Sequence, residues 1–176
     1  MIRSRLLVPP AAEPVTLDEL KAQARIEHAD DDTLLRQLIA AARESAEQRT
    51  GRALLDQTWQ QRGLTRDGRI ELRRWPVIDV LSVADHGGPL ATERWTAVTG
   101  EAPEVQLPGN RGGEVIIDYR AGYGATTESV PTPIRQWILI AAATMYELRE
   151  AEVPGATVNQ VGYVDALLAS YEVPGV

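Results

Sequence analysis

The sequence predicts an α+β fold: an α-helical bundle, made of two N-terminal helices and one long C-terminal helix, with a β-rich insertion between the second and third helices. Helical periodicity governs residues 1–54, strand-length segments separated by Gly and Pro turns fill 55–124, and helical periodicity returns in 125–176 before an irregular tail. These three stretches are the expected organisation: N-terminal helices, insertion, and a final helix that completes one discontinuous helical core. A chain of 176 residues is long enough to bury such a core without staples.

The first helix has a complete start signal. In "PVTLDELKAQARIE" Thr16 is the cap, Glu19 closes a capping box three residues on, and Val15 stands where it staples against Leu20, which predicts a helix over 17–26. The acidic run "EHADDD" breaks the pattern, and one of Asp30, Asp31 and Asp32 caps a second, longer helix. Leu34, Leu35, Leu38, Ile39, Ala42 and Ala46 form its apolar stripe, and Gly51 ends it.

Six segments then read as strands: "QTWQQRGLT", "RIELRRW", "VIDVLSVAD", "RWTAVTG", "EVQLP" and "GEVIIDYRAG". Asp67 and Gly68 suit a hairpin turn joining the first two, and Pro76 suits a strand start or an edge. In the last segment Val115, Ile117 and Tyr119 alternate with Ile116, Asp118 and Arg120, so one face is apolar throughout. Gly122 and Gly124 flank Tyr123 at its exit, where they let the chain turn through positive φ. Beyond it Thr132 caps a third helix with Pro133 at its first position, and Ile134, Trp137, Ile138, Ala141, Met145 and Leu148 make the stripe, widened by Ile140 and Ala142. "EVPGATVNQVGYV" reads as irregular, and "DALLASYEVPGV" offers at most a short helical turn.

Charge and composition narrow the function. There is no Cys, so disulfides, thiolate metal sites and cysteine nucleophiles are excluded. The net charge of −7 argues against a protein whose main task is gripping nucleic acid. Its distribution is uneven: Arg62, Arg66, Arg69, Arg73 and Arg74 face only Asp67 and Glu71 within their segment, whereas residues 150–176 carry acids and no base. The longest apolar run, "WILIAAATM", is far short of the ~20 residues a bilayer span needs. "MIRSRLLVPP" lacks a signal-peptide core, so a soluble protein made in the cytoplasm is expected.

No motif carries chemistry. "EHADDD" lacks the Gly and terminal Glu of an EF-hand loop and reads as a solvated turn with a cap. "PGNRGGE" precedes a strand and has no Walker lysine, and Gly-Tyr-Gly lacks the dinucleotide fingerprint. None of the serines sits in a nucleophile elbow, and His86 lies in a Gly-rich loop. No catalytic, cofactor-binding or metal residue is therefore assigned. The 62–74 arginines are read either as the solvated face of a hairpin or as a contact for nucleic-acid phosphates.

In order, "PVTLDELKAQARIEHADDDTLLRQLIAAARESAEQRTGRAL", "WPVIDVLSV", "YRAGYG", "VPTPIRQWILIAAATMYELRE" and "LLASYE" resemble the head-tail connector, or adaptor, proteins of tailed double-stranded-DNA bacteriophages and gene transfer agents, in the longer form with a β insertion. The resemblance implies a structural virion protein at the head-tail interface, made in the host cytoplasm and without enzymatic activity or cofactor. It implies a homo-oligomeric ring of about a dozen subunits, closed by two different patches that meet head to tail, although the isolated chain can be monomeric. It also implies two partners, the portal protein above and a stopper or tail-completion protein below, with DNA passing through without being gripped and no membrane involved.

On that reading Arg62, Arg66, Arg69, Arg73 and Arg74 are candidate interface residues, joined by Tyr119, Arg120 and Tyr123 where the insertion returns to the helical core. Tyr163, Asp165, Leu167, Leu168, Tyr171 and Glu172 are the candidate portal-docking tail, and the whole segment Glu150 to Val176 is expected to be mobile in the free protein and to order on docking. A small nucleic-acid-binding module using the 62–74 arginines is the alternative.

Overall fold

The computed structural model describes residues 2–65, 67–107, 112–148 and 162–174. The described residues of 12–50 and 126–172 form a helical unit, and those of 1–11, 51–125 and 173–176 form a β unit.

In the helical unit, α1 (Leu17–Ala24) begins at the expected capping box. The Glu19 N–H donates to Thr16 Oγ1 at 3.2 Å, and the Thr16 N–H donates back to Glu19 Oε2 at 2.7 Å. Val15 and Leu20, the staple pair, are both buried. The helix stops two residues before the expected end because Arg25 adopts the left-handed conformation, φ 55°. Helix α2 (Asp32–Thr50) buries Leu35, Ile39, Ala42 and Ala46, while Leu34 and Leu38 are half-buried. Helix α3 (Thr132–Glu147) packs against both and buries Ile134, Trp137, Ile138, Ala142 and Ala143. Removing each fully buried Leu or Ile from water contributes about 1.5–3 kcal/mol.

Two details of the helical unit differ from expectation. Thr132 is the first helical residue rather than the cap: the Pro131 carbonyl accepts the first backbone bonds, from Ile134 and Arg135. The tail also contains more than a turn. Helix α4 (Gly162–Ala169) packs on α2 and α3, with Leu168 fully buried.

The β unit contains a five-stranded antiparallel sheet in the order β1-β2-β8-β4-β5. Its strands are β1 (Arg3–Val8), β2 (Gln57–Thr65), β8 (Gly113–Ala121), β4 (Val77–Asp85) and the short β5 (Gly88–Pro89). A second sheet has the order β3-β7-β6, from Arg69–Glu71, Glu104–Gln106 and Thr96–Val98. Arg3–Val8 are thus not part of the N-terminal helices, because as β1 they take the free edge of β2. Nor does the Asp67-Gly68 turn close a hairpin. Both edges of β2 are occupied, by β1 and β8, so the chain leaves for the second sheet and β3 pairs with β7. Pro76 stands just before β4, a position that asks no N–H of it.

One apolar cluster lies between these elements. Val115, Ile117, Tyr119 and Ala121 of β8 and Val77, Val80 and Val83 of β4 meet Ile70, Leu72, Val105 and Leu107. Gln61, fully buried on the same face, replaces lost water with backbone partners: its Nε2 donates to the Glu71 carbonyl at 2.6 Å and its Oε1 accepts from the Arg73 N–H at 2.9 Å. Two irregularities in the β4–β8 register, between Val77 and Asp79 and between Val80 and Ser82, convert the two-residue alternation of β4 into a three-residue one. Ile78 and Leu81 are exposed as a result.

Candidate interface surfaces

The entry and exit of the β unit are stitched together. Gly51, φ 73°, follows α2, and the chain then runs through four buried residues, Arg52 to Leu55. On the return path the Gly122 N–H donates to the Pro76 carbonyl at 2.9 Å, the Tyr123 N–H to the Leu54 carbonyl at 3.2 Å, and the Asp56 N–H to the Gly124 carbonyl at 2.9 Å. Side chains reinforce the joint. Arg120 makes a two-pronged pair with Asp56, and Arg52 donates to both Glu101 oxygens at 2.7 and 3.0 Å while lying 5.7 Å from the centroid of the Tyr123 ring. The Asp56 pairing holds the Arg120 guanidinium above its ordinary value. Of the three residues singled out here, Arg120 and Tyr123 are half-buried in this joint, and Tyr119 is a core residue.

The sheet divides the 62–74 arginines. Arg62 points from β2 to the face opposite Gln61 and is exposed. Arg74 lies on the other side, 4.7 Å from the centroid of the Trp59 ring, with its N–H donating to the Tyr119 hydroxyl at 3.3 Å. Arg69 and Arg73 are exposed at the ends of the β3 segment, and Arg66 lies outside the described residues. These arginines therefore do not form one patch.

Arg62 instead shares its face with two residues that the sequence reading passed over. The β1–β2 register sets Arg3 opposite Arg62 and Arg5 opposite Gln60. Arg3, Arg62, Gly63, Leu64 and Glu114 line a depression there, with Leu64 63% exposed. The period-two "RSR" at the N-terminus was the available signal. Next to it Asp118 accepts from Gln60 Nε2 at 2.9 Å and Ser82 Oγ at 3.2 Å, so that carboxylate already has two partners.

The described part of the C-terminal tail is held in place. Asp165 pairs with Arg49 at 2.6 Å, Glu172 approaches the same guanidinium at 3.6 Å, and Leu168 is buried. Leu167 and Tyr171 are half-buried, and Tyr163 falls in α4. Of the 150–176 segment expected to be mobile, residues 162–169 form α4, which has an apolar face of its own to bury, and residues 150–161 lie outside the described residues.

The acidic turn has structural uses as well: Tyr146 donates to Asp31 at 2.5 Å, and Lys21 pairs with Asp32 at 2.5 Å. Among the described residues no group of His, Asp or Glu is arranged to hold a metal, and no helix is long and apolar enough to cross a membrane. A cavity of about 160 Å³ in the β unit is lined by Thr65, Asp85, His86, Arg94 and Glu114 among others.

Residues 14–84, from α1 into β4, match the family model described as "Phage gp6-like head-tail connector protein". The family this chain resembles is the phage head-tail connectors. Three solved structures extend the likeness over 100% of this chain and 97% of each matching chain. One, "Neck of empty GTA particle computed with C6 symmetry", superposes with a TM-score of 0.77 at 26% identity. The others are "Virion of native gene transfer agent (GTA) particle", 0.75 at 25%, and "Neck of native GTA particle computed with C12 symmetry", 0.72 at 26%. No curated protein matches the chain.

Proposed function

We propose that this chain is a structural component of a virion neck, a head-tail connector that forms a ring below the portal and joins the DNA-filled head to the stopper or tail. The observation that carries this reading is the end-to-end likeness to a chain in the neck of a gene transfer agent, with both units included. The symmetries in the descriptions of those necks, C6 and C12, support a ring of this chain too. Its work is assembly rather than chemistry, and DNA passes through the ring without being gripped, in keeping with a net charge of −7.

Contacts with neighbours follow from which side chains are still available. Asp165 and Glu172 engage Arg49 and Leu168 is buried, which leaves the half-buried Leu167 as a member of the docking tail that can meet the portal. Arg62, Arg69 and Arg73 are exposed for contacts between subunits or with the tail-completion protein. The test is to mix the full chain with its portal protein and image the product. A ring seated on the portal is expected; portal particles that stay bare at saturating chain concentration overturn the proposal.

A further inference from the structure

We propose that the Arg3, Arg5 and Arg62 face of one copy docks on the acidic turn between α1 and α2 of the next copy, with Glu27 and Asp30 as its counter-charges. The proposal rests on the ring reading above and names the two surfaces that would close it.

The arginine face is electrostatically incomplete. Arg3 and Arg62 are directly opposed in neighbouring antiparallel strands, a placement that costs stability through like-charge repulsion. Arg5 adds a third guanidinium on the same side, opposite Gln60. All three are exposed, and among the described residues none has an ion-pair partner. Glu114 lines the adjoining depression without pairing with them, and Asp118 is occupied by Gln60 and Ser82. Leu64, exposed beside Arg62, gives the patch an apolar centre. Arginines around an exposed Leu suit a protein surface better than a nucleic-acid track, because guanidinium forks clamp carboxylates while the Leu needs an apolar cover.

The same chain presents the complement. In the 27–32 turn, Asp31 and Asp32 are committed to Tyr146 and Lys21. Glu27 and Asp30 are exposed and, among the described residues, unpaired. A basic patch on the β unit and an acidic patch on the helical unit are two different surfaces, as a head-to-tail ring requires.

A charge swap tests the pairing, with ring occupancy on portal particles as the readout and unchanged circular dichroism and melting temperature as the folding control. R3E/R5E/R62E and E27R/D30R are each expected to lower occupancy at least about tenfold, and the chain carrying all five changes to recover most of it. Normal rings from either reversed variant, or reversed variants that are not rescued together, overturn the inference while the connector reading stands. Loss with R3E/R5E/R62E alone, together with salt-dependent DNA binding that the wild-type chain shows and this variant lacks, would overturn the inference and assign the face to nucleic acid. If the wild-type chain forms no ring, the connector reading falls and the inference falls with it.

Discussion

Gly122 passes so close to Leu55 that a Cβ on the glycine would lie 2.4 Å from the Leu55 carbonyl carbon and oxygen and 2.6 Å from the Asp56 nitrogen. These are backbone atoms in a segment held by its own hydrogen bonds, so they cannot move aside as a side chain would. Gly122 also carries φ 145°, where an L side chain is strained. Gly122→Ala is therefore expected to destabilise the β unit by about 3 kcal/mol or more, through strain and a broken joint together. Urea unfolding followed by tryptophan fluorescence measures it. A loss below about 1 kcal/mol would mean that the entry and exit segments separate freely.

Tyr119 makes a prediction about alkaline pH. Burial pushes its phenol up to about 12, only partly opposed by the Arg74 N–H at the hydroxyl. An unfolded tyrosine titrates near 10, so between pH ~10 and ~12 the unfolded chain releases a proton that the folded chain keeps. Stability from this group is complete below pH ~10 and is lost as the pH rises towards ~12, at up to about 1.4 kcal/mol per pH unit. Tyr119→Phe should be about 1 kcal/mol less stable at pH 8, having lost the bond to Arg74, yet show a shallower decline over this window. Urea midpoints at pH 8, 10 and 11 for both proteins decide it; parallel declines would place the alkaline sensitivity elsewhere.

How far the sequence revealed this molecule depended on whether a signal was local. The Thr16 and Glu19 box, the ends of β2 and β4, and the helical stripes of α2 and α3 are written in adjacent residues and were legible. Partnership across the chain was not. Nothing near Asp67 and Gly68 says that both edges of β2 are taken, and Gln61 and Arg52 are buried by partners 10 to 49 residues away. Two local signals were outvoted by their surroundings. Val164, Leu167, Leu168 and Tyr171 have helical spacing between Pro-Gly pairs, and Arg3 and Arg5 have strand spacing ahead of Pro9 and Pro10. The arginine face needed the structure because a linear cluster at 62–74 is divided by the sheet that carries it, while its real neighbours come from the other end of the unit.

The capping box of α1 does double duty. Glu19 closes the box through Oε2, while its Oε1 accepts from Arg135 of α3 at 2.5 Å; Arg135 also donates to the Pro14 carbonyl at 3.1 Å. Thr16→Ala removes the bond its hydroxyl accepts from the Glu19 N–H and the exposed one it donates to Glu19 Oε2, and should cost about 1 kcal/mol. Glu19→Ala removes the reciprocal bond and the tie between helices, so it should cost more than Thr16→Ala. The reverse order in thermal melts would show that Arg135 contributes little to holding α3.

The strongest polar dependence in the helical unit lies on α2, where Arg43 and Glu47 are buried among the apolar stripe. Arg43 Nη1 meets Glu47 at 3.0 Å and its Nε meets Glu13 at 2.8 Å. Burial works to lower the guanidinium, and Glu47 and Glu13 more than offset it, holding Arg43 above its ordinary value. Removing the cation takes the guanidinium at 3.0 Å away from Glu47, whose side chain is only 8% exposed. Arg43→Met is therefore expected to cost about 3–5 kcal/mol, and adding Glu47→Gln should return a substantial part because it removes the buried negative charge that the guanidinium balanced. If the two changes simply add in urea denaturation, the pair is not coupled and α2 owes its position to the apolar stripe alone.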